Sequence, residues 1–228
     1  MTAGEAALGH PGRDSVAVVI DVLRASTSLT VARAAGAARV VAVATPDEAR
    51  RMRKRIPEAL LCGEREGLRI PGFDLGNSPF EYTAAKVAGR PLIFASTNGS
   101  MAMLAAAAAR RCWLASFVNL AAVVDAVRGE DRVWVIAAGQ LGRFALEDSA
   151  CAGLLCRRLA DRGASLSGAA ARGAAALATA AADQVRALVQ GSPHGRTLRA
   201  LGPEFARDVE FCAGLDVIGK AYAIQESG

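Results

Sequence analysis

Lysine is nearly missing from this chain. Lys54, Lys86 and Lys220 are the only lysines, and His10 and His194 the only histidines. Arginine carries the basic excess, which amounts to a formal net charge of +5. The one dense basic cluster is Arg50, Arg51, Arg53, Lys54 and Arg55, and Asp47 and Glu48 stand just before it. That run reads as the solvated end of a helix, not as a nucleic-acid arm. Aromatic residues make up 5 % of the sequence, too few for the stacking platforms of single-strand binders. The five cysteines are an odd number and form no CxxC, so zinc spacing is absent and free buried thiols in a reducing cytosol are expected. No charge-free apolar stretch approaches the roughly 20 residues a membrane-spanning helix needs. The start, MTAGEAALGHPGRDS, lacks a basic segment followed by an apolar one, so no targeting peptide is expected. GxxxxGK[ST], GxGxxG and GxSxG are all missing, which leaves nucleotide cradles and serine nucleophile elbows unsupported.

What is present is a globular composition. The 228 residues are 52 % hydrophobic and 21 % charged, which excludes a disordered chain. Short β-branched runs alternate with longer amphipathic ones. Val16–Ile20, Arg39–Val43, Leu60–Cys62, Leu92–Ala95, Cys112–Ala115 and Val133–Ala137 read as strands. Thr45-Pro46-Asp47-Glu48 and Ser78-Pro79-Phe80-Glu81 read as capped helix starts. Beyond Leu146 the chain is mostly helical, with one uninterrupted stretch expected over Ala169–Val189 and a last short strand near Ala221–Ile224. Strands separated by helices imply parallel crossovers. The expected fold is α/β: a three-layer α/β/α sandwich around a mostly parallel or mixed sheet, with a helical C-terminal part. Residues 1–14 are expected to form a flexible tail and residues 15–228 a single catalytic domain.

Ligands of open α/β sheets bind beyond the carboxyl ends of the strands, so the residues after each apolar run are the candidates. Asp21 and Arg24 lead a strand-to-helix turn that also holds Ser26 and Thr27. A carboxylate beside a guanidinium there suits a metal or proton role next to an anion clamp. Leu23 stands where the haloacid-dehalogenase signature needs a second aspartate. Ser96-Thr97-Asn98-Gly99-Ser100 is a small-residue turn in which Gly99 lets the backbone approach a ligand closely. The glycine-rich segment GEREGLRIPGFDLGNS offers Glu64 and Asp74 as oxygen ligands, with Asn77 and Ser78 near its end. Ser116 and Asn119 follow the fifth run. Glu147 and Asp148 open a helix whose dipole favours acids, and either could hold a hard cation or activate water. His194 reads as part of a helix-cap turn, so no histidine triad is expected. Carboxylates, a hard cation and an anion cradle together point to phosphoryl chemistry.

Asp21-Val22-Leu23-Arg24-Ala25-Ser26-Thr27, Gly63-Glu64-Arg65, Gly72-Phe73-Asp74-Leu75-Gly76-Asn77-Ser78-Pro79, Ser96-Thr97-Asn98-Gly99-Ser100 and Leu146-Glu147-Asp148 with Cys151-Ala152-Gly153 resemble the 2-phosphosulfolactate phosphatases. The segments Ser192-Pro193-His194-Gly195 and Asp208–Cys212 do so too. The family's strand-exit motif reads more like TTNGT, and Ser96 and Ser100 keep the hydroxyls of the two threonines they replace. Gln140 occupies a glycine turn where the family has a more polar run. The resemblance implies a Mg²⁺-dependent phosphatase that converts (2R)-2-phospho-3-sulfolactate to 3-sulfolactate and phosphate, a step towards coenzyme M. In the expected mechanism Glu64, Asp74 and Asp148 hold Mg²⁺, and Thr97, Asn98, Gly99 and Ser100 cradle phosphate. Arg24 neutralises phosphate or sulfonate, and Ser26, Thr27, Asn77, Ser78 and Asn119 add substrate contacts. Asp21 is the base or nucleophile, with Glu147 as the second choice. Hydrolysis of another small phospho-acid and non-catalytic anion binding are the alternatives. A cytoplasmic enzyme without nucleic-acid or membrane partners is expected, as a homodimer, twofold closure being the commonest symmetry.

Overall fold

The computed structural model describes residues 10–178 and 182–224. The expected N-terminal tail therefore lies partly outside the described residues. Gly12 and Ser15 close a turn, and Asp14 pairs with Arg132 at 2.7 Å. In chain order the elements are β1 (Val16–Ile20), α1 (Ala25–Ala34), β2 (Arg39–Ala42), α2 (Pro46–Arg53), β3 (Leu60–Arg65), β4 (Leu68–Arg69), α3 (Ala84–Val87), β5 (Pro91–Ala95), α4 (Gly99–Ala105), β6 (Arg111–Ala115), α5 (Leu120–Val127), β7 (Val133–Ala137), α6 (Leu146–Ala160), α7 (Ala169–Leu177), α8 (Ala182–Gly191), α9 (Pro193–Ala200), α10 (Pro203–Cys212) and β8 (Tyr222–Ile224).

The fold is α/β with mixed sheets and a helical C-terminal part. The strands divide into two sheets of four, ordered β7-β1-β6-β8 and β2-β5-β3-β4. Strand-helix alternation does not reveal this split, because pairing partners are set by packing and not by chain order. β1 is parallel to both β6 and β7, and β5 is parallel to both β2 and β3. β8 and β4 add antiparallel edges. All of β1 is buried, which explains its unbroken β-branched sequence. Its alternating side chains enter two different cores. Val16, Val18 and Ile20 pack with α5, α6 and the C-terminal helices. Ala17 and Val19 face α1, α4 and the second sheet through Val40, Leu60, Leu92 and Phe94. A third, smaller core joins Leu61, Ile93 and Ala95 to Ala49 of α2 and to Phe73.

Some boundaries differ from those the sequence suggests. β3 runs on to Arg65 because Glu66 and Gly67, with φ of 54° and 82°, fold it back onto β4; two consecutive positive φ values make a primed hairpin turn. The helix expected from Ser78 breaks into a 3-10 turn over Pro79–Glu81 and the short α3. There the Glu81 carboxylate turns back to accept from the Gly76 N–H, and the buried Tyr82 hydroxyl donates to the Gly76 carbonyl at 2.7 Å. The stretch read as one helix over Ala169–Val189 contains α7 and α8, and residues 179–181 between them lie outside the described residues. The basic cluster is the exposed end of α2, where Arg50 pairs with Asp47. All five cysteines are free and buried. Among the described residues no helix is long and apolar enough to cross a membrane.

Candidate active site

The exits of β1, β3, β5 and β7 meet at one pole. Asp21 directly follows β1, and its side chain accepts from the Ala25 N–H at 3.0 Å. Its backbone N–H donates to Ser26 Oγ, which donates in turn to the Val19 carbonyl. Thr27 Oγ1 donates to the Val22 carbonyl. These two hydroxyls close the β1–α1 turn and thereby hold Asp21 in place. The Leu23–Arg24 peptide within this turn is cis.

From β3, Glu64 accepts from the Thr97 N–H at 2.8 Å and from the Gly67 N–H at 2.9 Å. It ties the β3–β4 hairpin to the turn after β5. In that turn Ser96 and Ser100 bond each other through backbone and hydroxyl groups, and Ser100 Oγ also reaches the Phe94 carbonyl. Gly99 lies so close to the β1 exit that a Cβ there would stand 2.5 Å from Ala25 Cβ and 2.7 Å from Asp21 Oδ2. Asn98 Oδ1 accepts from the Leu141 N–H and joins this turn to the loop after β7.

From the start of α6, Asp148 accepts from the Val22 N–H at 2.8 Å and the Gly139 N–H at 3.0 Å. Glu147 is buried, with His194 Nδ1 at 3.3 Å. The Asp21 carboxyl stands at about 6, raised chiefly by burial and also by the negative charges of Glu64 and Glu147, with the Ala25 N–H and His194 opposing them. Asp148 is raised well above the usual carboxylate range, first by burial and then by Asp21 and Glu147. Four buried carboxylates thus act on one another around a single pole.

The guanidinium of Arg24 is buried beside them. It donates to Asp208 Oδ2 at 2.6 Å and to the Gly67 carbonyl at 2.5 Å, and it lies 5.1 Å from the centre of the Phe205 ring. Ser78 Oγ donates to the other Asp208 oxygen at 2.6 Å. The Asn77 carbonyl accepts from Ser28, and its buried Oδ1 has no partner.

Asp74 and Asn119, like Ser26 and Thr27, are engaged with other partners. Asp74 pairs with Arg53 at 2.6 Å on a partly exposed flank and accepts from the Leu61 N–H. Asn119 is wholly engaged with its own turn, accepting from the Ser116 N–H and donating to the Leu114 carbonyl. Conversely, His194 and Asp208 were not among the expected site residues. Ser192 does cap α9 by accepting from the Gly195 N–H, as the cap reading of this turn requires, and that cap delivers His194 to Glu147. Asp208 carries a usable signal, being an acid on the buried face of an amphipathic helix.

The donor set suits a hard cation. Its oxygens are carboxylates, which Mg²⁺ prefers, and their mutual repulsion favours a positive charge between them. Among the described residues no three acidic, histidine or cysteine side chains already stand around one ligating point. Carboxylates beside a fixed guanidinium on an α/β sheet rim are groups that phosphoryl-transfer sites use. Comparison with known proteins agrees. The family model of 2-phosphosulpholactate phosphatase matches residues 5–226. A probable 2-phosphosulfolactate phosphatase of Synechococcus sp. (strain JA-2-3B'a(2-13)) is 38 % identical over 209 residues, covering 90 % of this chain and 86 % of the relative. One of Carboxydothermus hydrogenoformans is 40 % identical, covering 90 % and 84 %. One of Symbiobacterium thermophilum is 41 % identical, covering 89 % and 88 %. The chain belongs to the 2-phosphosulfolactate phosphatase family, and it is a phosphatase.

Proposed function

We propose that this chain hydrolyses 2-phospho-3-sulfolactate to 3-sulfolactate and phosphate with Mg²⁺ as cofactor, a reaction of the coenzyme M type. The observation that carries this reading is the convergence of Asp21 and Glu64 on the turn Thr97–Ser100, with Asp148 acting on Asp21 and Arg24 alongside. Glu64 and Asp148 would hold the cation. When bound, Mg²⁺ supplies positive charge to the phosphoryl oxygens.

The protein's own groups do the remainder. Asp21, with its carboxyl raised to about 6, is a base near its best strength for neutral pH. It takes the proton of a water attacking phosphorus, or itself attacks. The Asn98–Gly99 backbone receives phosphate oxygens, the Thr97 N–H being held by Glu64, and Gly99 brings that backbone up against Asp21. Arg24, already oriented by Asp208 and Gly67, retains further N–H donors for an anionic substituent such as a sulfonate.

The test is phosphate release from 2-phospho-3-sulfolactate by purified protein, with Mg²⁺ and with excess EDTA. Metal-dependent release that vanishes in Asp21→Asn is expected. Equal release in EDTA would overturn the cofactor, and undiminished release by the variant would overturn the role of Asp21. If 2-phospholactate and phosphoglycolate react as fast, the sulfonate is not what the site selects.

A further inference from the structure

The leaving oxygen of a 2-phospho-acid is an alkoxide, a poor leaving group at neutral pH. When the P–O bond breaks, that oxygen must gain a proton, whether the attacking oxygen belongs to water or to Asp21. With Asp21 assigned as the base and Glu64 and Asp148 to the cation, the donor is another group.

Few groups qualify among the described residues. Arginine does not give up its proton. Burial pushes the Cys112 and Cys212 thiols up to about 12 and Cys156 to about 11, and it raises Cys62 and Cys151 as well. Tyr82 is likewise raised and already donates to the Gly76 carbonyl. Lys54 ends α2, Lys86 sits on α3 and Lys220 lies against the Tyr222 ring. His10 is exposed and precedes the first turn of the fold.

His194 remains, and its setting is constructed. Ser192 caps α9 and Pro193 opens it, which fixes the backbone at residue 194. Gly195 packs so tightly on α8 that a Cβ there would stand 2.1 Å from the Val189 carbonyl oxygen. The imidazole is partly buried, with Nδ1 at 3.3 Å from Oε1 of the buried Glu147. With Nδ1 on the Glu147 side, Nε2 is the ring nitrogen left for proton exchange. Glu147 and His194 both act electrostatically on Asp21, so the pair belongs to the same pole as the candidate base.

We propose that His194 is the general acid that protonates the leaving oxygen, and that Glu147 is the positioning residue that orients its imidazole. The inference rests on the phosphatase reading given above. In the step, water attacks phosphorus and loses a proton to Asp21. The bond from phosphorus to the C2 oxygen breaks, and that oxygen takes the proton from His194 Nε2. The net change is one water consumed, one alcohol and one phosphate formed, with both side chains reset by proton exchange with solvent.

The experiment compares wild type and His194→Gln on esters that differ in leaving group: 2-phospho-3-sulfolactate and 2-phospholactate, which release alkoxides, against phosphoenolpyruvate and p-nitrophenyl phosphate, which release much weaker bases. For the alkoxide esters kcat is expected to fall roughly 10²- to 10⁴-fold, the usual span of general acid catalysis. For the activated esters the fall is expected to stay within about tenfold, and their turnover also shows that the variant is folded. Glu147→Gln should give the same asymmetry in milder form, a pattern that mere loosening of the fold would not produce. An equal loss on both kinds of ester, or no loss on either, overturns the assignment. Absence of phosphate release by wild type from every ester would instead overturn the phosphatase reading on which it depends.

Discussion

Two aspartates with similar partners make a contrast at the residue scale. Asp208 and Arg24 form a pair whose side chains are each 3 % exposed. Removing one member of a buried pair strands the other charge, which costs about 3–5 kcal/mol. Asp208→Ala should therefore lower the thermal midpoint by roughly 6–20 °C for a chain of this size. Asp74 and Arg53 are 36 % and 39 % exposed, and Asn at position 74 would still accept from the Leu61 N–H. Asp74→Asn should cost no more than about 1 kcal/mol, and unfolding curves of both variants check the pair. Asp21 makes a further prediction. Its carboxyl rises from an ordinary 3.8 to about 6, so between those values the folded state binds a proton that the unfolded state has lost. The metal-free protein should lose stability as pH rises through that window. Asp148 and Asp208, also raised, act in the same direction. In Asp21→Asn the drop in unfolding free energy between pH 4 and 7, read from urea titrations, should shrink by on the order of 2–3 kcal/mol. An unchanged slope would show that Asp21 is not held as described.

At the scale of elements, the site depends on turns meeting and not on any one helix. Glu64 fastens the β3–β4 hairpin to the β5 exit, and Gly67 at the hairpin tip accepts from Arg24. Gly99 sets the spacing between the β5 and β1 exits. Gly99→Ala would drive a methyl into Ala25 Cβ and Asp21 Oδ2, and overpacking of this kind costs about 1–3 kcal/mol. Phosphate release should fall at least tenfold, as expected of a misplaced catalytic geometry, while the variant stays folded by circular dichroism. Activity near wild type would show that this close approach is dispensable. The elements also explain which expectations held. The strand runs and their polar exits were legible because period and β-branching are local properties. The Ser78 capping box forms as its sequence suggests, but the helix it opens stops after a 3-10 turn, where Glu81 and Tyr82 also bind Gly76, a contact that a capping pattern does not encode.

For the whole molecule, the acidic pole is a site of stored repulsion that a cation would relieve. Mg²⁺ at about 100 times its dissociation constant should add about 2.7 kcal/mol of stability, a shift of roughly 5–10 °C in the thermal midpoint at neutral pH. Calorimetry with Mg²⁺ and with EDTA measures this, and no shift would count against cation binding at Glu64 and Asp148. Sequence by itself determined the α/β class, the helical C-terminal part, the buried free thiols and the set of strand exits at which Asp21, Arg24, Glu64, Thr97–Ser100 and Asp148 stand. All of these follow from local pattern, since periodicity marks strands and a polar residue after an apolar run marks a rim. Only the tertiary structure decided that the strands part into two sheets, that Asp74 turns outward to Arg53, and that His194 and Asp208 come back from the C-terminal helices to Glu147 and Arg24. Those contacts join residues 47 and 184 positions apart, and such distances are spanned by burial and charge pairing between packed elements, which no local spacing records.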